Sequence, residues 1–298
     1  MLRGYVYIVL AACLWAFLGP FAKIAFREGV SPMEVAFWRA VLAWGFFGTH
    51  ALVKGQVRIA PKDLPALVTF GITGVAMFYG VYQMAVKQGG AALAAVLLYT
   101  APAWVTLMSR IFYKEPVTPA KLSALLLTLL GVAGISLGSG GNMGGQGVRI
   151  DTAAVLLGLA AGFCYSMYYV FGKHFSGRYT SPNLFAYMLP IGGACLYPWV
   201  EFAPKPPAAW MALVVIAAFC TYGAYYCYYL GIQYLEISRA SIAATLEPVL
   251  AALVAYIWWD EVFTPMGYVG SAMILAAVLL VVWDGIRRRP AAETVNNE

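Results

Sequence analysis

The sequence predicts an all-α integral membrane protein of ten transmembrane helices, arranged as two inverted repeats of five. Three observations carry this expectation. Of the 298 residues, 62% are hydrophobic and only 11% are charged, whereas a soluble domain carries about 25% charged residues. Apolar runs close to the roughly 20 residues needed to cross a bilayer follow one another along the chain. Residues of matching type also recur at a nearly constant spacing through the two halves.

The expected spans are 5–26, 33–52, 65–86, 91–112, 120–138, 153–174, 183–202, 209–230, 239–259 and 266–285. The first run is longer than the apolar core of a signal peptide, contains Gly19-Pro20 and ends in Lys23 without a cleavage pattern, so it is expected to remain as a helix. Most connections are a few residues long. The exceptions are the polar link 53–64 with Pro61 and the glycine-rich link Ser139–Asp151. The expected organisation is therefore a first repeat at 1–138, a linker at 139–152, a second repeat at 153–285 and a polar tail at 286–298, which is expected to be disordered.

The net charge is +6. The basic residues occupy short loops rather than one continuous face, which speaks against nucleic acid as a partner. With the N-terminus inside, the inner loops collect Arg3, Lys54, Arg58, Lys62, Arg110, Lys114, Lys121, Lys173, Arg178, Arg239 and Arg287 to Arg289. The outer loops hold Lys23, Arg27, Lys87, Arg149 and Lys205. Thirteen against five is a positive-inside bias, so both termini are expected in the cytoplasm. The five cysteines lie in apolar runs without a C-x-x-C pair, and His50 and His174 are isolated at span ends. Neither a metal site nor a cofactor is expected.

The repeat is visible in residue pairs. At an offset of 150, Trp15-Ala16 matches Tyr165-Ser166, Phe21 matches Phe171, Lys23 matches Lys173 and Ser31-Pro32 matches Ser181-Pro182. Further on the offset becomes 146, matching Tyr79 with Tyr225, Tyr82 with Tyr228, Pro102 with Pro248, Glu115 with Glu261 and Thr118-Pro119 with Thr264-Pro265. One loop of different length accounts for the change. Because five is odd, two such units enter the membrane from opposite sides, an arrangement that recurs in secondary transporters.

These residues resemble the drug/metabolite transporter superfamily, and within it the ten-helix EamA-type transporters. The resemblance runs from Tyr5 to about Gly285. It is carried by Ala240–Pro248 with Asp260-Glu261 and Thr264-Pro265, by Ala91–Pro102 with Glu115 and Thr118-Pro119, and by Leu14-Trp15-Ala16 and Phe37-Trp38-Arg39. It implies a carrier of the bacterial inner membrane, usually an exporter of amino acids or other small metabolites. It further implies a central cavity lined by helices 1, 3, 4, 6, 8 and 9, with helices 5 and 10 peripheral. Ala101 stands where the second half has Glu247, so a symmetric pair of carboxylates is not implied.

Glu247 is the sharpest candidate. It lies about eight residues, roughly 12 Å, into its span, near the middle of a core about 30 Å thick. It is either a cation-binding or proton-carrying group, or a structural carboxylate that bonds backbone groups beside Pro248. Arg39, roughly 9 Å from the outer end of its span, could bind a substrate carboxylate, pair with Glu247 or snorkel to the interface. Pro102 and Pro248 each remove a backbone hydrogen bond at equivalent places, which marks a hinge or a cavity wall, or an ordinary kink. Tyr222, Tyr225, Tyr226 and Tyr229 follow the spacing of one helix face. Together with Trp15, Tyr79, Tyr82, Tyr99, Tyr165 and Tyr168 they would form an aromatic wall for a flat or cationic solute, or else pack between helices. Glu115 and Glu261 are expected to cap or tie loops.

The function these features predict is a secondary transporter for a small organic solute, working by alternating access in the lipid bilayer, with protons as a candidate coupling ion through Glu247. No G-x-x-x-x-G-K-[ST] loop is present, so direct drive by ATP bound to this chain is not expected. An intramembrane enzyme would need a convergent catalytic set, and neither H-E-x-x-H nor a carboxylate pair at mid-membrane occurs. A membrane scaffold or receptor without transport would leave the duplication and the midplane charges unexplained.

Overall fold

The computed structural model describes residues 1–138, 152–259 and 264–287. Among them every regular element is helical and no strand occurs. Most of the glycine-rich link, Asp260-Glu261 and the tail beyond Arg287 lie outside the described residues.

The first span is two helices, α1 (Leu2–Ala16) and α2 (Leu18–Arg27), parted at Phe17. The break follows from Pro20, whose missing N–H leaves the preceding turn without its bond. α3 (Pro32–Val53) starts where the Ser31 hydroxyl accepts the Glu34 N–H at 3.1 Å, with Pro32 in the first turn. The third span joins α4 (Leu64–Gly71), a π-helical segment Ile72–Met77 and α5 (Phe78–Leu98). Within α5 the chain turns back at Gly90, whose φ of 83° suits a residue without a side chain. The remainder of α5 together with α6 (Ala101–Phe112) lies where the fourth span is expected, and α7 (Pro119–Gly138) where the fifth is expected.

The second half begins with α8 (Thr152–Phe175), which is unbroken where the first span is broken. α9 (Ser181–Leu196) ends sooner than the expected span 183–202. Pro198 cannot continue the hydrogen-bond ladder, so Tyr197–Trp199 tightens into a 3₁₀ turn. Where the eighth span is expected lie α10 (Pro207–Val215), a π-helical segment Ile216–Gly223 and α11 (Ala224–Ile232). Where the ninth is expected lie α12 (Ile237–Ala244) and α13 (Glu247–Trp259), and where the tenth is expected lies α14 (Pro265–Arg287).

Seven of these segments are long and apolar enough to cross a membrane: Leu2–Arg27, Pro61–Gly90, Leu93–Phe112, Thr152–Phe175, Pro207–Ile232, Ile237–Trp258 and Pro265–Arg287. α7 supplies a shorter apolar stretch, Pro119–Ile135. α3 carries Glu34, Arg39 and His50, and α9 is only 16 residues long. The chain is a multi-span membrane protein. α7 lies along α14, and the pair packs through Ala124, Ala277, Val278 and Val281 onto the core shared with α1, α3, α5, α8, α9, α11 and α12.

Sequence periodicity treats Glu247-Pro248 as a step inside one continuous helix. The structure corrects this. The ninth span is interrupted at Thr245–Leu246, and Glu247 and Pro248 open a new helix. The fourth span is interrupted at Tyr99–Thr100, with Ala101 and Pro102 opening α6. A proline in the first turn of a helix forfeits no bond, because those N–H groups have no partner within the helix.

Candidate functional site

The interruptions at Tyr99–Thr100 and Thr245–Leu246 are 146 residues apart, the spacing of the repeat. Shifted by the same 146, the π-helical segment Ile72–Met77 falls on 218–223, inside the second such segment. These two irregularities of the backbone are therefore paired between the halves, whereas the break at Phe17 has no copy in α8. α8 presses on the first break. A Cβ at Gly162 would lie 2.7 Å from the Leu97 carbonyl oxygen and 2.6 Å from the Thr100 hydroxyl, so only glycine permits that approach.

Arg39 is buried, with 7% of its surface exposed, so it does not snorkel to the interface. Its Nε donates to the Thr221 hydroxyl at 2.8 Å, and that hydroxyl donates to the Ile216 carbonyl at 3.0 Å across the π-helical turn. The guanidinium lies 5.7 Å from the centre of the Tyr79 ring and 6.0 Å from that of Tyr225. An arginine at the centre of a membrane helix costs roughly 2.5–3.5 kcal/mol on insertion scales, and each cation–π contact returns about 0.5–2 kcal/mol. The rings thus offset much of the burial without supplying a counter-charge. Among the described residues no carboxylate lies within ion-pair distance of Arg39.

Tyr225 stacks on Tyr168, with ring centres 5.0 Å apart, and meets the edge of Trp15 at 5.4 Å. Trp15 also touches Tyr228 at 5.8 Å, and Tyr228 lies 5.2 Å from Tyr169. Tyr165 faces Phe78 at 5.4 Å, and Phe78 leads on to Tyr82 at 6.2 Å. Glu247 is hydrogen-bonded by the Tyr99 phenol, feels the charge of Arg39, and acts electrostatically on Tyr82, Tyr165 and Tyr169. Glu247, Tyr79, Tyr82, Tyr99 and Tyr165 are each half-buried.

The structure thus gathers Trp15, Arg39, Tyr79, Tyr82, Tyr99, Tyr165, Tyr168, Tyr225 and Glu247 into one region. Tyr222 and Tyr229 stand apart from it. Tyr222 packs on Phe47 at 4.8 Å, and its hydroxyl lies 2.7 Å from His50 Nδ1. Tyr229 packs near Phe185, and its buried hydroxyl has no partner among the described residues. That helix face meets α3 and α9. Pro102 is buried in the first turn of α6, while Pro248 is half-buried beside Glu247. Residue spacing did not single out Thr221. Its signal was available, since at the offset of 146 it replaces Val75 with a hydroxyl.

Two polar clusters tie the ends of the bundle. At one end the Glu115 carboxylate accepts the backbone N–H groups of Ile237 at 2.8 Å and Ser238 at 3.2 Å, so it caps α12. Lys121 Nζ pairs with Glu236 at 2.8 Å, and Arg239 bridges Glu236 at 2.6 Å and Asp284 at 2.7 Å. Burial pushes the Glu236 carboxyl up, but Lys121 and Arg239 outweigh it and hold the group below its ordinary value. At the other end Lys205 pairs with the fully buried Glu34, amid the rings of Trp38 at 5.5 Å, Trp210 at 5.6 Å and Phe202 at 5.8 Å. No group of three or more potential metal ligands occurs among the described residues.

A multi-span bundle with helix breaks paired between its halves, and with Arg39 and Glu247 within its spans, is an architecture that recurs in membrane transporters. The chain belongs to the EamA-like transporter family, whose model matches residues 2–137 and 152–283. It is similar to an uncharacterized transporter of Archaeoglobus fulgidus, 26% identical over 94% of this chain and 99% of the relative. An uncharacterized inner membrane transporter of Salmonella typhimurium is 26% identical over 97% and 98%. A protein of Streptantibioticus cattleyicolor named "Probable terminal-alkyne amino-acid exporter" is 25% identical over 96% of each chain. A solved crystal structure covers 95% of this chain and 98% of its own, with a TM-score of 0.81 at 19% identity, a likeness of fold.

Proposed function

We propose that this transporter moves a small organic metabolite, an amino acid or a related compound, outward across the bacterial inner membrane by alternating access. In this reading the described helices form ten spans in two inverted five-helix units, 1–138 and 153–285, with both termini in the cytoplasm. The two units rock about the central chamber, and the polar clusters at the two ends open in turn. Glu247 binds a cationic group of the solute or carries a coupling proton, and the tyrosine walls hold the body of the solute. The prolines open the half-helices that flank the chamber.

The observation that carries the reading is the pair of interrupted helices at Tyr99–Thr100 and Thr245–Leu246, with Glu247 at the start of the second half-helix beside a chamber that also feels Arg39. Discontinuous helices at matching positions, with half-helix ends directed at a midplane site, are how many secondary transporters build their solute sites. The first turn of α13 also favours a carboxylate through the helix dipole. The choice of amino acids is supported by the named exporter among the relatives. The test is counterflow of radiolabelled L-amino acids into proteoliposomes holding the purified chain. Exchange above empty vesicles for at least one amino acid is expected, and inactivity of folded protein across the whole panel would refute the reading.

A further inference from the structure

The pocket around Arg39 has a property that neither half possesses alone. Three of its wall positions are repeat-equivalent pairs: Arg39 with Leu189 at the offset of 150, and Val75 with Thr221 and Tyr79 with Tyr225 at 146. A pocket walled by equivalent residues from both halves lies where the two halves meet, on the pseudo-two-fold axis between them. A site on that axis is equally far from both membrane faces, and so can be shared by both states of an alternating carrier.

We infer that this pocket is the docking site for a carboxylate group of the transported solute, held by the Arg39 guanidinium. Four features of the pocket support the assignment. An arginine stays charged in a protein interior and presents a planar fork matched to a carboxylate. Nε is already fixed by Thr221 at 2.8 Å, and the Tyr79 phenol also accepts from the guanidinium, which orients it while its five N–H donors leave some for a carboxylate. No carboxylate of the described residues is within ion-pair distance to neutralise it. The void between these side chains is about the size of one water molecule in this closed arrangement, which suits a headgroup and not a whole solute. The rest of the solute would then extend past Tyr168 and Tyr165 into the chamber that leads to Glu247. Alternatives for the same cation are weaker. The Tyr79 and Tyr225 rings supply no negative charge, and Glu247 acts on Arg39 only at longer range.

This inference rests on the transporter reading, but a binding experiment separates the two. The full-length chain in detergent is titrated with each proteinogenic L-amino acid, with the corresponding amino-acid amide, and with inorganic phosphate. The expected result is that at least one acid binds and raises the melting temperature while its amide does not. For that acid, Arg39→Gln should weaken binding by at least ~30-fold and Arg39→Lys by ~10-fold, because an ammonium keeps the charge and loses the fork. A purely structural role for Arg39 would lower stability without altering the preference for acid over amide. If Arg39→Gln does not fold, Arg39→Lys and Thr221→Val decide the matter, each expected to narrow the gap between acid and amide. The inference is overturned if acid and amide bind alike, if Arg39→Gln keeps the wild-type affinity, or if neither the acids nor phosphate bind. Binding of phosphate alone overturns the carboxylate assignment. Amino-acid counterflow with no preference for acid over amide would refute this site and leave the transporter reading standing. Arg39-dependent binding of an acid without counterflow would do the reverse.

Discussion

The two halves of the chain share two backbone irregularities and differ in their polar chemistry. Both have a π-helical segment followed by a helix break, at positions 146 residues apart. Both open the new half-helix with a residue followed by proline. Yet Ala101 faces Glu247 across the repeat, Leu189 faces Arg39, and Val75 faces Thr221. The difference teaches how labour is divided. The break in the fourth apolar segment and the π turn are shared backbone features, whereas charge is placed once. A second copy of each charge would set two carboxylates or two guanidinium groups against each other near the axis, where like charges repel in a medium of low dielectric constant.

The largest effect that would sharpen this comparison is expected at Glu247. Glu247→Gln keeps the size and the hydrogen bond to Tyr99 but removes the charge. Transport driven by a pH gradient in proteoliposomes should fall to the level of empty vesicles, a loss of at least ~100-fold in initial rate. Full retention of the pH-gradient dependence would remove Glu247 as proton carrier and return it to a structural role.

A smaller effect is expected where the halves differ at their ends. Glu236 and Arg239 are replaced at the offset of 146 by Gly90 and Leu93, so the ionic cluster has no repeat copy at those positions. The Glu236 carboxyl is held below its ordinary value in the folded chain. A depressed carboxylate stabilises the fold above its unfolded value of about 4.3, and that contribution is lost as pH falls through the lower folded value. The melting temperature of wild type should therefore exceed that of Glu236→Gln at neutral pH, and the gap should close on acidification below about pH 4. A gap that persists unchanged in acid would show that Glu236 acts through packing rather than charge.

The smallest effect concerns the shared prolines. Because Pro102 and Pro248 occupy the first turns of α6 and α13, Pro102→Ala and Pro248→Ala should each change stability by no more than about 1 kcal/mol. A loss near the ~3 kcal/mol typical of a helix-interior position would place them inside continuous helices and undo the comparison.

Much of this architecture was legible in the sequence. Hydropathy marked the spans, and the 150 and 146 offsets exposed the duplication, because long apolar runs and paired prolines leave a strong one-dimensional signal. The site was legible in part. Glu247, Arg39 and Tyr225 stand out by chemistry and spacing, but Thr221 touches Arg39 across 182 residues of sequence, and Lys205 reaches Glu34 across 171. Such contacts depend on packing that no local pattern encodes. The π turns were invisible for a different reason. A shift of hydrogen-bond register leaves composition unchanged. The tyrosine stripe stays open between wall and packing for a related reason, because spacing puts Tyr222, Tyr225 and Tyr229 on one face and cannot say which neighbour that face meets.

The central claim is that recognition depends on one charge placed on an axis common to both halves. Moving the charge across that axis tests it most directly. Binding of the L-amino acid that most stabilises wild type should be measured for Arg39→Leu and for the double variant Arg39→Leu/Leu189→Arg. The account predicts that the single variant loses at least ~30-fold in affinity, and that the double variant, with its guanidinium returned to the same pocket from α9, recovers to within ~10-fold of wild type. A folded double variant that binds no better than the single one would contradict it.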